Sequence, residues 1–209
     1  MMGKTHRAGG ALAMLLAFNY MHTESMLADS ISPVVQLLVM YPCCMWGSVA
    51  SDLDQSDDAI PEKAPVSMFI HKLLYLGKVK HRSWQTHSLT ITGGFVALLF
   101  LGLHLLNLYG LFGLNATSLT LLKLMLMVLT VGIESHLFLD ACTYDGIHTI
   151  TPTYNKKTNK KKAHKLRFVP HTDAFKTGTT YESILRWLLY VGFLGMVLYT
   201  MYKILTGVI

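Results

Sequence analysis

The chain has 209 residues, of which 52% are hydrophobic and only 14% are charged. Soluble proteins average about 25% charged residues, so the composition excludes an ordinary soluble domain and indicates a membrane protein. In such a protein the net charge of +6 is first a signal of topology, because Lys and Arg concentrate on the cytoplasmic side. The three cysteines, two of them adjacent in an apolar segment, indicate neither a disulfide framework nor a CxxC site.

Apolar stretches that can enter or cross about 30 Å of hydrocarbon recur along the chain. They cover residues 9–22, 31–50, 89–112, 117–139 and 184–206. The first stretch is short for a span, and no small-x-small cleavage site follows it, so we expect it to be retained and to pack among the others. The sequence therefore predicts an all-α polytopic membrane bundle with about five apolar segments, the first of them short.

Basic residues mark three of the connections. Lys4 and Arg7 precede the first apolar segment, and further Lys and Arg residues lie in 51–88 and 141–183. The positive-inside rule places all three regions in the cytoplasm. This topology requires five crossings, with the N-terminus in the cytoplasm and the C-terminus outside.

Two connecting segments differ in composition from the rest of the chain: one is amphipathic and the other is strongly basic. Residues 67–80 bring apolar side chains to one helical face, which predicts an interfacial amphipathic helix. Residues 155–167 contain seven Lys or Arg residues and almost no apolar ones, which predicts a loop attracted to anionic lipid headgroups or to a protein partner. No aromatic residues interleave with these lysines, which argues against nucleic-acid binding.

Histidines and aspartates recur at the predicted cytoplasmic ends of four separate apolar segments. The charge count that set the topology used none of them, so their coincidence at one membrane level is an independent observation. His136 and Asp140 are four residues apart, a spacing that places both side chains on one face of a helix, about one turn apart. The candidate metal ligands are His6, Asp52, Asp54, His81, His87, His136 and Asp140.

A site of His nitrogens and Asp oxygens suits zinc, manganese or iron better than calcium, and it has room for one or two ions. A bound metal lowers the pKa of its water and stabilises charge on a phosphoryl or carbonyl oxygen, so the expected chemistry is hydrolysis. Arg82 is a candidate clamp for a substrate phosphate, and Thr86 and Ser88 are candidates for orienting the ligands. Glu134 and Asp145 are both candidates for the general base, and the sequence does not choose between them.

The ordered motifs THRAGG, SDLDQS, HRSWQTHSL and GIESHLFLDACTYDGIHTITP resemble those of the YdjM family of inner-membrane-associated proteins. The resemblance covers roughly residues 3–152. The family pattern falls on Thr5 and His6, Asp52 and Asp54, residues 81–88, and residues 135–146 with Pro152. The chain departs from the pattern at Ser51, where the family commonly has a proline.

The resemblance implies a metal-dependent hydrolase. The order of ligands is also similar to that of zinc-dependent phospholipase C, an all-helical enzyme, which implies a phosphoester substrate such as a phospholipid. We accordingly expect residues 1–152 to form a hydrolase-like membrane domain, 153–182 a basic cytoplasmic loop and 183–209 a C-terminal transmembrane helix.

Two other classes of protein stay open at this point. A membrane adaptor would use the His and Asp residues as a structural metal site, and would recruit a partner or anionic lipid through 155–167. A transporter fits less well, because the ionisable residues lie at the segment ends and not at the bilayer midplane, where transporters place their sites.

Overall fold

A computed structural model of the protein describes residues 3–24, 27, 31–54, 65–110, 113, 115–149, 153–155, 160–162, 165–169 and 176–209. Within these ranges the chain forms six α-helices and a short 3₁₀ turn, with four strands of two or three residues. The helices are α1 (Gly3–Thr23), α2 (Pro33–Ala50), α3 (Pro65–Leu76), α4 (Leu89–Leu108), α5 (Ala116–Ala141) and α6 (Thr180–Leu205), and the 3₁₀ turn (Ser51–Asp54) directly follows α2.

Four of the described helices are long and apolar enough to cross a membrane. They are α2 together with its 3₁₀ turn (Pro33–Asp54), α4, α5 and α6. Two of them begin with a residue suited to that place: α2 has Pro33 in its first turn, and the Asn115 side chain accepts a hydrogen bond from the Ser118 N–H of α5, 2.8 Å away. The prediction of an all-α polytopic membrane bundle is confirmed.

The first helix, α1, lies inside the bundle and packs against α2, α5 and α6. It extends over 21 residues, or roughly 31 Å at 1.5 Å per residue, and so is longer than the predicted segment 9–22. Met14 and Phe18 on α1 are almost completely buried. A helix enclosed by other helices can carry more polar residues than one facing lipid: the Asn19 Nδ2 donates to the Thr200 Oγ1 of α6 at 2.7 Å.

Glycines let α2 and α5 approach each other closely. A Cβ atom built on Gly132 would lie 2.3 Å from the Cys44 carbonyl oxygen, and one built on Gly47 would lie 2.4 Å from the Leu129 carbonyl oxygen. Both contacts are with backbone, which cannot move aside as a flexible side chain can. Small residues at a helix crossing are a common means of close packing in membranes.

Gly132→Ala is therefore expected to destabilise the protein by about 1–3 kcal/mol, the usual cost of overpacking a core. The matched control is Gly102→Ala on α4, where no atom lies within 4 Å of the added Cβ. Thermal unfolding in detergent, followed by loss of the monodisperse chromatographic peak, measures both variants. Equal midpoints for the two variants would contradict the close packing of α2 and α5.

The helix predicted over 67–80 is observed as α3, over Pro65–Leu76. It ends at Leu76 because Gly77 follows and Lys78 adopts a left-handed backbone with φ of 52°, a common way for a helix to stop. Its outer face exposes large apolar side chains, among them Phe69 and Leu73. Its inner face is anchored by a hydrogen bond from the Trp46 indole N–H to the Ser67 hydroxyl, at 2.9 Å.

The basic segment is more ordered in its backbone than the predicted loop. Strand β2 (Thr153–Asn155) pairs with β3 (Lys160–Lys162), and β1 (Ile147–His148) pairs with β4 (Lys165–Leu166), both antiparallel. Composition alone predicted a loop because lysine is depleted in strands. Lysine is tolerated, however, in short ribbons whose edges face water.

Candidate metal centre

Four distant parts of the chain meet at one end of the bundle. They are the first turns of α1, the 3₁₀ turn after α2, the segment before α4 and the last turns of α5. Among the described residues, three overlapping groups have ligand atoms close enough to hold a metal ion. The groups are His6, His136 and Asp140; Asp52, His87 and His136; and Asp52, Asp54 and His81. All seven predicted ligands belong to these groups.

The His136 side chain is completely buried and is oriented by the backbone of α2. Its Nδ1 lies 2.8 Å from the Ser48 carbonyl oxygen. A carbonyl only accepts, so Nδ1 carries the proton and donates, and the lone pair of Nε2 is left to face the cluster. Metal-binding histidines commonly have this arrangement, in which the ring nitrogen that does not bind the metal donates a hydrogen bond to a carbonyl or carboxylate. The close approach of α2 and α5 at Gly132 makes the contact reachable.

The ligand atoms around His136 are too far apart for good hydrogen bonds and are spaced as ligands of one ion would be. The His136 Nε2 lies 3.4 Å from the His87 Nε2 and 3.6 Å from the Asp140 Oδ2. The His87 Nε2 lies 3.6 Å from the Asp52 Oδ1. Two ligands of a tetrahedral zinc ion are about 3.4 Å apart, given bonds of about 2.0–2.1 Å.

His6 approaches the same cluster from α1. Its ring stacks on the His136 ring with centroids 3.7 Å apart, and its Nε2 lies 3.4 Å from the Asp140 Oδ1. The ring is fully buried, and its Nδ1 has no hydrogen-bond partner among the described residues. The His6 Nε2 also has no hydrogen-bond partner in the described part of the chain, and buried polar atoms normally have one, so this nitrogen beside a carboxylate fits a metal ligand. The Asp52 Oδ2 is buried and likewise without a hydrogen-bond partner in the described part of the chain.

The third group lies nearer the surface. The His81 Nδ1 is 2.7 Å from the Asp54 Oδ1, and the His81 side chain is 42% exposed. Thr86 donates a hydrogen bond to Asp54, and its hydroxyl lies 3.0 Å from the His87 Nδ1. Thr86 thus occupies the orienting position predicted for it. Ser88 does not show such a contact: its buried hydroxyl has no hydrogen-bond partner among the residues described.

The surroundings of His87 favour the neutral form of its ring. Burial lowers the pKa of its imidazole, although the neighbouring Asp52 opposes the shift. A neutral ring keeps one nitrogen lone pair available, as ligation requires. The His87 carbonyl also accepts a hydrogen bond of 2.8 Å from the His148 backbone N–H, which ties the segment before α4 to β1.

Arg82 lies at the open edge of the cluster. Its Nη1 donates to the Asp145 Oδ2 at 2.9 Å and its Nη2 to the Asp140 Oδ1 at 3.3 Å. Its backbone has φ of 54°, a left-handed conformation that costs a residue other than glycine on the order of 1–3 kcal/mol and is found preferentially at functional sites. The structure therefore places the predicted clamp beside the metal groups, bridging a buried and an exposed carboxylate.

The two candidate bases occupy different surroundings. Asp145 is 58% exposed and reaches the cluster through Arg82. Glu134 precedes His136 by two residues, or about 200° around α5, and its exposed side chain lines an apolar groove. Among the residues described, Glu134 belongs to none of the three metal groups.

Three supporting residues were absent from the sequence-based site. Ser48 orients His136 through its carbonyl, and His148 holds His87 through its N–H. His71 on α3 lies with its Nδ1 2.8 Å from the Leu53 carbonyl oxygen, between the two aspartates of the 3₁₀ turn. Ser48 and His148 contribute only backbone atoms to these contacts, for which side-chain identity gives no signal. Only His71, a histidine on an amphipathic helix, could have been singled out.

These features define a helical integral membrane protein with clustered His and Asp side chains able to bind metal at one end of its bundle. The chain belongs to the YdjM inner membrane protein family, which matches residues 1–208. No curated protein and no solved structure shows significant similarity to the chain.

Proposed function

We propose that the protein is a membrane-embedded, metal-dependent hydrolase that cleaves a phosphoester of a phospholipid-like substrate. The observation that carries this proposal is the set of three overlapping metal groups, buried at one side and open to solvent at His81 and Arg82. Seven His and Asp ligands, six of them buried, are more than one structural ion needs. An open edge gives water and a headgroup access.

The donor set favours zinc, with manganese as the alternative and one or two ions held. His6, His136 and Asp140 are positioned to hold one ion. Asp52 and His87 share His136 with that group, and Asp54 and His81 extend the site toward the open edge. When bound there, the metal supplies Lewis acidity and activates water.

The remaining steps fall to side chains at the open edge. Arg82 is placed to bind a phosphate oxygen with its fork of N–H donors, exchanging the exposed Asp145 carboxylate for the substrate. Asp145, once released, is placed to accept a proton from the attacking water. We favour it over Glu134 because Glu134 lines a groove on another face of α5.

The basic segments suggest the orientation of the site. Residues 51–88 and 141–183 carry most of the Lys and Arg residues. The described residues 51–54, 81–88 and 141–149 of these segments lie at the metal end of the bundle. We therefore propose that the metal centre and the N-terminus face the cytoplasm and that the C-terminus lies outside. Phosphoesters of the cytoplasmic leaflet are the substrates that such a site meets first.

The function is tested by reconstituting the purified protein in phospholipid vesicles with zinc or manganese and measuring release of headgroup or phosphate. The expected result is metal-dependent turnover that Asp140→Ala abolishes. Glu24→Gln, which removes a carboxylate at the other end of α1, is the matched control and should keep full activity. Absence of metal-dependent turnover with any phospholipid would count against the proposal.

Arg82→Lys is expected to keep bound metal while lowering kcat/KM by roughly tenfold to a hundredfold, because lysine keeps the charge and loses the paired N–H donors. Metal content and hydrolysis are measured on the same preparation. If activity falls only in proportion to lost metal, Arg82 holds the site together and does not act on substrate.

A non-enzymatic adaptor is the second candidate. The observation that favours it is the number of ligands, since seven are enough to close the coordination of an ion and leave no position for water. The basic residues 155–167 would then bind anionic lipid or a protein partner. The two functions differ in the coordination of the bound metal: a water ligand is expected for the hydrolase and none for the adaptor.

A further inference from the structure

An apolar groove runs between α1 and α5 beside the metal centre. Its volume is about 540 Å³, within the range of pockets that hold small molecules. Leu12, Ala13 and Leu16 of α1 form one wall, and Val131 and Phe138 of α5 form the other. The groove lies along a helix long and apolar enough to cross the membrane.

The groove lies beside the metal site, although none of the candidate ligands lines it. Three of its lining residues directly adjoin site residues in the chain: Ser135 precedes His136, Leu139 precedes Asp140, and Ile147 precedes His148. Gly9, another lining residue, lies one helical turn beyond His6. A lipid whose headgroup lies at the open edge of the metal site would therefore have this groove close by.

The surface of the groove suits hydrocarbon. Its two hydroxyl residues on α5 are satisfied within their own helix, because the Thr130 Oγ1 donates to the Leu126 carbonyl at 2.8 Å and the Ser135 Oγ to the Gly132 carbonyl at 2.7 Å. Glu134 is the ionisable exception among the described lining residues. A polar occupant would lose its hydrogen bonds to water without replacing them, whereas an acyl chain loses none.

Aromatic rings stand at the metal end of the groove. Phe138 and Phe168 both line it, and their centroids lie 5.2 Å apart. The Phe168 backbone N–H donates to the Ala141 carbonyl at 3.0 Å, which fixes this residue at the end of α5. Aromatic side chains are enriched at the boundary between headgroup and hydrocarbon. The groove thus passes from the headgroup level into the apolar part of the bundle.

We propose that this groove binds one acyl chain of the lipid whose phosphoester lies at the metal centre. The inference rests on the proposed hydrolase function and specifies its substrate: a lipid with a long acyl chain, in preference to a soluble phosphoester. The chain lies between α1 and α5, and the headgroup is held at the open edge near Arg82.

Photocrosslinking tests the groove separately from catalysis. The full chain is reconstituted in nanodiscs with a phosphatidylglycerol carrying a diazirine midway along one acyl chain, and labelled peptides are identified by mass spectrometry. Labelling of α1 and α5 beside the groove is expected to saturate and to be displaced by unlabelled lipid. Labelling of the lipid-facing helix α4 is expected to rise in proportion to probe and to resist competition.

Leu16→Trp narrows the groove and should lower the saturable labelling roughly tenfold, because the larger side chain fills space that an acyl chain would occupy. Leu98→Trp on α4 is the matched control, because both leucines are more than half exposed and Leu98 does not line the groove. Ala13→Phe is a second variant at the same wall, in case Leu16→Trp fails to fold.

Failure of the inference and failure of the proposed function give different results. Saturable labelling that survives in Asp140→Asn and falls in Leu16→Trp supports the groove, and a matching loss of long-chain hydrolysis in Leu16→Trp links it to substrate. Equal, non-saturable labelling of α4 and of the groove overturns the inference, even if hydrolysis is observed. Saturable labelling without metal-dependent hydrolysis of any lipid rejects the substrate assignment together with the proposed function.

Discussion

Asp140→Asn is expected to lower metal affinity by at least about 100-fold, because changes even in the residues behind metal ligands cost 10–100-fold. Asp140 lies at the centre of the cluster, with its oxygens 3.4–3.6 Å from ring nitrogens of His6, His87 and His136. Asparagine preserves the shape of the side chain and removes its charge. Metal content of the purified protein, measured by elemental analysis after dialysis, gives the result.

The control for this substitution is Asp145→Asn. Asp145 also contacts Arg82, but it is largely exposed and belongs to none of the metal groups of the described chain. If Asp145 is the general base, the Asp145→Asn variant should retain its metal and lose hydrolysis. Equal loss of metal from both variants would show that the charge around Arg82, and not ligation by Asp140, governs binding.

Removal of metal is expected to lower the thermal stability of the wild-type protein by several degrees. Three buried carboxylates, those of Asp52, Asp54 and Asp140, share one end of the bundle, and a cation there offsets their repulsion. A ligand present at 1,000 times its Kd stabilises the folded state by about 4 kcal/mol. Unfolding midpoints are measured in detergent with chelator and after zinc is added back.

The specificity of this effect is tested with Asp140→Asn. Its midpoint should already be low and should change little with chelator, because there is little metal left to remove. A chelator effect of the same size in both proteins would place the stabilising ion elsewhere in the molecule.

The sequence predicted much of the site because its spacing and its topology point the same way. The i, i+4 pair of His136 and Asp140 lies on one buried face of α5, as helical geometry requires. His6, Asp52 and His87 come from other segments. The positive-inside rule alone predicts that the ends of those segments lie on the same side of the membrane as the end of α5. Side-chain chemistry and the direction of each helix were therefore sufficient to predict that these residues lie close together.

Other features depend on packing and could not be predicted from the sequence in the same way. The modest hydropathy of α1 made it a short, uncertain span, whereas it is a long helix protected by three neighbours. The orientation of His136 depends on a carbonyl at Ser48 and on the glycine crossing of α2 and α5. Pairing of the basic segment into β2 and β3 depends on backbone hydrogen bonds that composition does not encode.

X-ray absorption spectroscopy of the zinc-loaded protein tests the metal centre most directly. The predicted result is close to stoichiometric zinc surrounded by nitrogen and oxygen at about 2.0–2.2 Å, with the outer scattering of histidine rings and no sulfur at about 2.3 Å. The histidine signal should diminish in His136→Ala. A shell containing sulfur, or zinc bound without histidine, would contradict a centre built from His6, His87, His136 and Asp140.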